Sequence, residues 1–258
     1  MKDVKEYVPG QFCWAELGTK DTSVAKKFYS SLFGWTSKEN DMGGGTIYTI
    51  FQLEGKDIVG LYSLDAQLPT PPGWLQYVNV KNADKTANRV RELGGSVLLP
   101  PMEIPDVGKF ALFKDTTNAV IGVWQSGKHI GAQMFGEPGA MVWNELVTPD
   151  VQKAEDFYTR LFDWTTEKVK MERFTYTRFK VGDKGGAGML PTPPEAKGLP
   201  PIWTIYFAVE DCDKTADKVK SLGGKIMRPP EDIPKIGRFA IFEDPQDAMF
   251  AVIKPLPM

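Results

Sequence analysis

Asp21-Thr22-Ser23-Val24-Ala25-Lys26-Lys27-Phe28-Tyr29-Ser30-Ser31-Leu32-Phe33-Gly34-Trp35-Thr36 reads as a single amphipathic helix with both ends marked. Asp21 fits an N-cap, Ala25, Phe28, Tyr29 and Leu32 recur at helical spacing, and Gly34 supplies the stop. The same face returns 129 residues later as Phe157-Tyr158-x-x-Leu161-Phe162-x-Trp164-Thr165. At that offset Trp14, Glu16 and Leu17 meet Trp143, Glu145 and Leu146, while Trp74, Tyr77 and Val80 meet Trp203, Tyr206 and Val209. Gly94-Gly95 meets Gly223-Gly224, and Pro100-Pro101 meets Pro229-Pro230. The chain has 258 residues, twice 129, and is a tandem duplication. Solenoids repeat every ~20–50 residues, so a period this long predicts that each copy carries its own core.

Working outward within the first copy, Gln11 to Leu17 reads as a strand ahead of the helix. Thr46 to Leu53 and Asp57 to Leu64 read as two strands after it, and Gly43-Gly44-Gly45 as a flexible connection between helix and strand. Beyond a proline-rich linker, Pro69-Thr70-Pro71-Pro72, the order recurs. A strand runs from Trp74 to Val80, Asp84 caps a helix through Ala87, Val90 and Leu93, Gly94-Gly95 stops it, and strands follow near Ser96 to Leu99, Lys109 to Lys114 and Ala119 to Trp124. The inner spacing is 60 residues from Gly34 to Gly94 and 62 from Ala25 to Ala87. The fold class is α+β: four β-α-β-β-β units in two tandem domains, 1–126 and 140–258, joined by a linker over 127–139. One helix on a small sheet leaves the far sheet face uncovered, and two units side by side can curl those faces around a cavity, where function is to be sought.

Composition narrows the partners. Thirty-one basic against thirty-three acidic residues give a net charge of −2 with no basic block, which disfavours nucleic acid and anionic membranes. No apolar run is long enough for a signal peptide or a membrane span. Cys13 and Cys212 occupy non-equivalent places in the two copies, unlike a disulfide framework, and a reducing cytoplasm is the expected setting. Cys13 faces opposite to Trp14 and is expected to be buried and inert.

The cap, helix face and glycine stop from Asp21 to Trp35, with Val80-x-x-x-Asp84, Leu93-Gly94-Gly95, Phe113-x-Asp115 and Asp244-Pro245-Gln246-Asp247, resemble the vicinal oxygen chelate superfamily. This is the glyoxalase, bleomycin-resistance and extradiol-dioxygenase group, here in its double-domain form. The resemblance implies three metal-ligand positions per domain. They fall on Phe12, Leu75 and Gly122 in the first copy and on Met141, Thr204 and Ala251 in the second, and no side chain there can ligate a metal. Imidazole, which first-row metals want in such sites, is scarce: the one histidine, His129, lies in the linker and reads as solvated. No metal and no cofactor is expected.

With Phe12 and Met141 at the first ligand positions that the resemblance implies, alternate residues of the same strands put Trp14 and Glu16 in the first cavity and Trp143 and Glu145 in the second. In the register that the resemblance implies, Tyr77 and Tyr206 share the face of the second ligand position and Trp124 lies two residues past the third, where Ile253 replaces it in the second copy. The candidate ligand-binding residues are therefore Phe12, Trp14, Glu16, Tyr77, Trp124, Trp143, Glu145 and Tyr206. Aromatic walls with one carboxylate suit a small planar or cationic organic ligand. Sequestration of such a molecule without metal is the leading expectation. A metal-independent lyase or isomerase with Glu16 or Glu145 as base is the alternative, weakened by the lack of a nearby arginine or lysine to stabilise an enediolate. A structural or regulatory module whose tryptophans fill the cavities is the third. Trp74, Trp203, Phe28, Phe157, Tyr29 and Tyr158 are read as core.

Overall fold

The computed structural model describes residues 3–65, 70–182 and 184–256. Pro69, the first residue of the expected proline-rich linker, lies outside them. The first copy runs β1 (Phe12–Thr19), α1 (Thr22–Phe33), β2 (Thr36–Asp41), β3 (Ile47–Leu53), β4 (Lys56–Ser63), β5 (Gly73–Asn79), α2 (Ala83–Glu92), β6 (Ser96–Ile104), β7 (Gly108–Lys114) and β8 (Val120–Ser126). The second repeats it as β9 (Met141–Thr148), α3 (Val151–Phe162), β10 (Thr165–Lys170), β11 (Thr175–Val181), β12 (Lys184–Pro191), β13 (Ile202–Ala208), α4 (Cys212–Ser221), β14 (Lys225–Ile233), β15 (Gly237–Glu243) and β16 (Met249–Pro255). Each copy forms one eight-stranded sheet, ordered β2-β3-β4-β1-β5-β8-β7-β6 in the first and β10-β11-β12-β9-β13-β16-β15-β14 in the second. The α+β class and the tandem β-α-β-β-β plan follow directly.

Local chemistry sets the elements. The Asp21 carboxylate accepts from the Ser23 and Val24 amides, and Gly34, at φ 76°, closes α1 in the left-handed conformation that costs glycine least. Asp163 occupies the same role at the end of α3 with φ 55°, a conformation aspartate tolerates better than most residues. Asn82 caps α2 and Asp84 sits in its first turn, where its charge meets the helix dipole, so the cap expected at Asp84 lies two residues earlier. Strand β2 replaces the expected loop, and Gly43 to Gly45, all with positive φ, turn the β2–β3 hairpin.

The hydrophobic cores do not respect the duplication. One joins Ala25, Phe28 and Tyr29 of α1 to Ile205, Phe207, Ala216, Val219 and Phe250 of the second copy. The other joins Val78, Val90, Phe113 and Ile121 of the first copy to Ala154, Phe157, Tyr158 and Trp203 of the second. Helix α1 lies against α4 and α2 against α3. This corrects the expectation of one core per copy: a single eight-stranded sheet has too little apolar cover on its helical face, and the other copy completes it. Trp74, Trp203, Phe28, Phe157, Tyr29 and Tyr158 are core residues, as the sequence suggested. Among the described residues no helix is long and apolar enough to cross a membrane.

Candidate ligand-binding site

Each sheet turns its other face away from the helices, and both open faces carry the same chain of hydrogen bonds. In the first copy Trp14 Nε1 donates to the Tyr48 hydroxyl at 3.1 Å, Tyr48 donates to Glu16 Oε2 at 2.9 Å, and Tyr77 donates to Glu16 Oε1 at 2.6 Å. In the second, Trp143 Nε1 donates to Tyr176 at 3.0 Å, and Tyr176 and Tyr206 each donate to Glu145 at 2.7 Å. The glycine opposite each glutamate on the paired parallel strand, Gly60 or Gly188, makes the arrangement possible. A Cβ at either would fall inside the tyrosine hydroxyl that lies over it.

Burial raises the pKa of both Glu16 and Glu145, and the phenol hydrogen bonds pull it partly back. Burial and then the neighbouring carboxylate push Tyr48, Tyr77, Tyr176 and Tyr206 well above the usual phenol range, so all four are donors at neutral pH.

Of the expected site residues, Trp14, Glu16, Tyr77 and Trp124 gather on the first open face, and Trp143, Glu145 and Tyr206 on the second. Phe12 does not join them. The β1–β5 register shifts between Phe12 and Trp14, and this bulge at Cys13 turns Phe12 to the helical face, where its ring lies 5.2 Å from that of Trp203 and 5.9 Å from that of Trp164. Met141 is displaced likewise by a bulge between β9 and β13. Cys13 is buried as expected, although it packs with Trp14 instead of facing away from it, and burial pushes its thiol far up.

His129 is not the solvated linker residue its position suggested. Its ring meets Trp14 edge-on at 4.6 Å and Trp124 at 5.6 Å, and its carbonyl accepts from Trp124 Nε1 at 2.9 Å. Burial lowers its pKa. Trp14, Tyr77 and Trp124 are left 4, 2 and 5% exposed, so the first face is closed by its own aromatics and by the linker. A depression of about 340 Å³ lies outside this plug, lined by Asp57, Val107, His129 and Gln133 among others. On the second face Ile253 stands where Trp124 does, and Trp143 is half-buried where Trp14 is buried; Tyr176, like Tyr48, is half-buried, and Tyr206, like Tyr77, is buried.

Tyr48, Tyr176 and Arg228 escaped the sequence reading. The one-residue slip between the copies hides the Tyr48–Tyr176 pair from a fixed offset of 129, but Tyr48 and Gly60 recur together at 128 as Tyr176 and Gly188. Arg228, on β14, stands 5.1 Å over the Phe239 ring and lowers the pKa of Glu145, which corrects the expectation that no cation lies near either glutamate.

The comparisons with known proteins agree with this architecture. The family model described as Glyoxalase/Bleomycin resistance protein/Dioxygenase superfamily matches residues 11–123 and again 135–252. The chain belongs to that superfamily. It is 38% identical over 256 residues to "Putative glyoxylase CFP32" of Mycobacterium tuberculosis, covering 98% of this chain and 97% of that protein. It is 32% identical over 261 residues to "Anthracycline biosynthesis protein DnrV" of Streptomyces peucetius, covering 96% and 94%. Among solved structures, the Mn(II)-bound glyoxalase from Novosphingobium aromaticivorans superposes with a TM-score of 0.68 at 15% identity, covering 96% of this chain and 83% of that one. The 2,3-dioxygenase LapB from Pseudomonas sp. KL28 gives 0.64 at 13%, covering 97% and 96%. At these identities the two structures speak for the fold alone.

The metal that such superfamily members carry has no fitting donor set here. Leu75 and Gly122 on the first face and Thr204 and Ala251 on the second offer no imidazole or carboxylate, and the Tyr77 ring covers Gly122. Glu16 and Glu145 each spend both oxygens on phenols. Among the described residues no three His, Cys, Asp or Glu side chains come together as a metal site.

Proposed function

We propose that this superfamily member binds a small planar organic molecule without a metal, on the open face of its second copy against Trp143, Tyr176 and Glu145. The observation that carries the reading is the repeated Trp-Tyr-Glu-Tyr chain, whose tryptophan is buried against His129 in the first copy and half-buried, as Trp143, in the second. Half-buried aromatic surface with fixed donors is the make-up of small-molecule sites. The relatives named for anthracycline biosynthesis fit a planar, fused-ring ligand. The first copy, filled by its own tryptophans, takes the structural role. Domains over 1–126 and 140–258 with a linker over 127–139 belong to this reading. So does a cytoplasmic protein without a nucleic-acid partner, given the net charge of −2 and two free cysteines.

Titration with 1,4-dihydroxyanthraquinone, followed by tryptophan fluorescence, tests it. Saturable quenching is expected, weakened about tenfold by Glu145→Gln as one charge-assisted hydrogen-bond network is lost, and far less by Glu16→Gln. Absence of quenching, or equal losses from the two variants, overturns it.

A second reading, catalysis of proton transfer, draws on Arg228. Burial moves Glu145 towards the range in which a carboxylate serves as base near neutral pH, and Arg228 offers a charge to hold a developing enolate oxygen. Solvent-deuterium exchange into the hemithioacetal of methylglyoxal, abolished by Glu145→Gln in a folded protein, would establish it.

A further inference from the structure

The two open faces differ in charge at their rims: the second carries Arg178, opposite Gly188 where the first copy has Ile50 opposite Gly60, and it also carries Arg228. Arg228 sits opposite Ile241 in the β14–β15 register, on the face that holds Tyr206, Phe239 and Ile253. Its charge reaches Glu145 and Tyr206 and favours the ionised form of each. At the same position of the first copy stands Leu99, opposite Leu112, which packs on the first open face. Arg228 pairs with Glu231 at 2.5 Å, but the two side chains are 47% and 42% exposed, and pairs so exposed contribute little. The guanidinium is thus held in place by the Phe239 ring while its charge remains available for exchange to a better partner.

We propose that Arg228 makes the second face selective for a planar aromatic molecule bearing a carboxylate or another anionic oxygen, with the ring on Trp143 and Tyr176 and the anion on the guanidinium fork. The inference rests on the reading of the second face as the binding site. A planar fork matches a carboxylate in two parallel hydrogen bonds, which an ammonium cannot do. Glu145 does not repel such a ligand strongly, because both of its oxygens already accept phenol hydrogens and burial disfavours its charge. The first face, with Leu99 at its rim and His129 over Trp14, takes no such ligand.

The full-length protein is titrated with three probes of one shape, anthraquinone-2-carboxylate, 2-(hydroxymethyl)anthraquinone and 2-(aminomethyl)anthraquinone, and dissociation constants are read from tryptophan fluorescence. The wild type is expected to favour the carboxylate over the alcohol by about tenfold. Arg228→Leu, which copies the first face at that position, brings that ratio to about one, and Arg228→Lys keeps part of it because the charge survives without the fork. Circular dichroism confirms that each variant is folded, and the Arg228→Lys result decides the matter if the leucine variant is not. A preference that survives in Arg228→Leu, or tightest binding of the amine, overturns the proposal. Binding of all three probes with no discrimination overturns it while leaving the second-face site standing. Binding of none overturns both.

Discussion

The hydroxyl of Tyr29 in the first copy donates to the Asp244 carboxylate of the second at 3.1 Å and accepts from Trp74 Nε1 at 3.1 Å. The relation recurs in the opposite sense: Tyr158 of the second copy accepts from Trp203 Nε1 at 2.8 Å, and the charge of Asp115 in the first copy helps raise its pKa. Trp35 Nε1 reaches across to the Gly139 carbonyl and Trp164 Nε1 back to the Gly10 carbonyl, both at 2.8 Å. Reciprocal bonds of this kind are what a two-fold contact between identical subunits produces. The copies are joined as the halves of a dimer would be, with the linker making the pair one molecule.

Removing the Tyr29 hydroxyl leaves two buried polar groups short of a partner. Tyr29→Phe strands Asp244 Oδ2 and Trp74 Nε1 at the centre of a shared core, and such a loss costs about 1–3 kcal/mol. Urea denaturation should show a lower midpoint with an unchanged slope. Combining the change with Asp244→Asn should fall short of the sum by about 0.5 kcal/mol or more, because the two residues share one hydrogen bond.

Shared cores predict one unfolding transition for the whole chain. Each core takes residues from both copies, so opening either copy exposes apolar surface of the other. Calorimetry should give a single peak whose van't Hoff and calorimetric enthalpies agree. A fragment ending at Ser126 should form a dimer or aggregate, since the helical faces of α1 and α2 would lack α4 and α3.

The helix from Thr22 to Phe33, the duplication and the four-unit plan were legible because capping, helical period and glycine stops are local signals. Strand β2 was not, since Thr36 to Asp41 is a polar edge strand, almost wholly exposed, with no alternation to read. The Trp14, Glu16 and Tyr77 grouping came from the ligand register of the resembled family extended by strand period, and that period misplaced Phe12 because a bulge at Cys13 is invisible to a period of two. Arg228 and His129 owe their places to chain segments far from the site in sequence, and no local pattern announces either.

The two glutamates make opposite contributions to pH dependence from the surface carboxylates. Glu16 and Glu145 have folded pKa values raised above the ordinary 4.5, so the folded state holds their protons more tightly than the unfolded chain. Their stabilisation is therefore complete below 4.5 and is lost as pH rises through the raised folded value. Asp21, Asp213 and Asp247 are shifted down and act the other way, so the test is a difference between proteins. Thermal midpoints from about pH 4 to 8 should show Glu16→Gln and Glu145→Gln gaining on the wild type as pH increases. Parallel curves would mean that neither carboxylate is shifted.

Gly60 and Gly188 hold room for a hydroxyl, and filling it should break the chain at a known bond. The Cβ of Gly60→Ala would meet the Tyr48 hydroxyl, and that of Gly188→Ala would meet Tyr176 and approach Trp143 Nε1 at 2.9 Å. The tyrosine must then swing off the strand, releasing one glutamate oxygen and the tryptophan N–H together. Overpacking of this sort costs about 1–3 kcal/mol. The second consequence separates the copies. Gly188→Ala should abolish quenching by 1,4-dihydroxyanthraquinone, because it dismantles the accessible face, whereas Gly60→Ala should lower the melting temperature and leave quenching in place, because the face it disrupts is already plugged by His129.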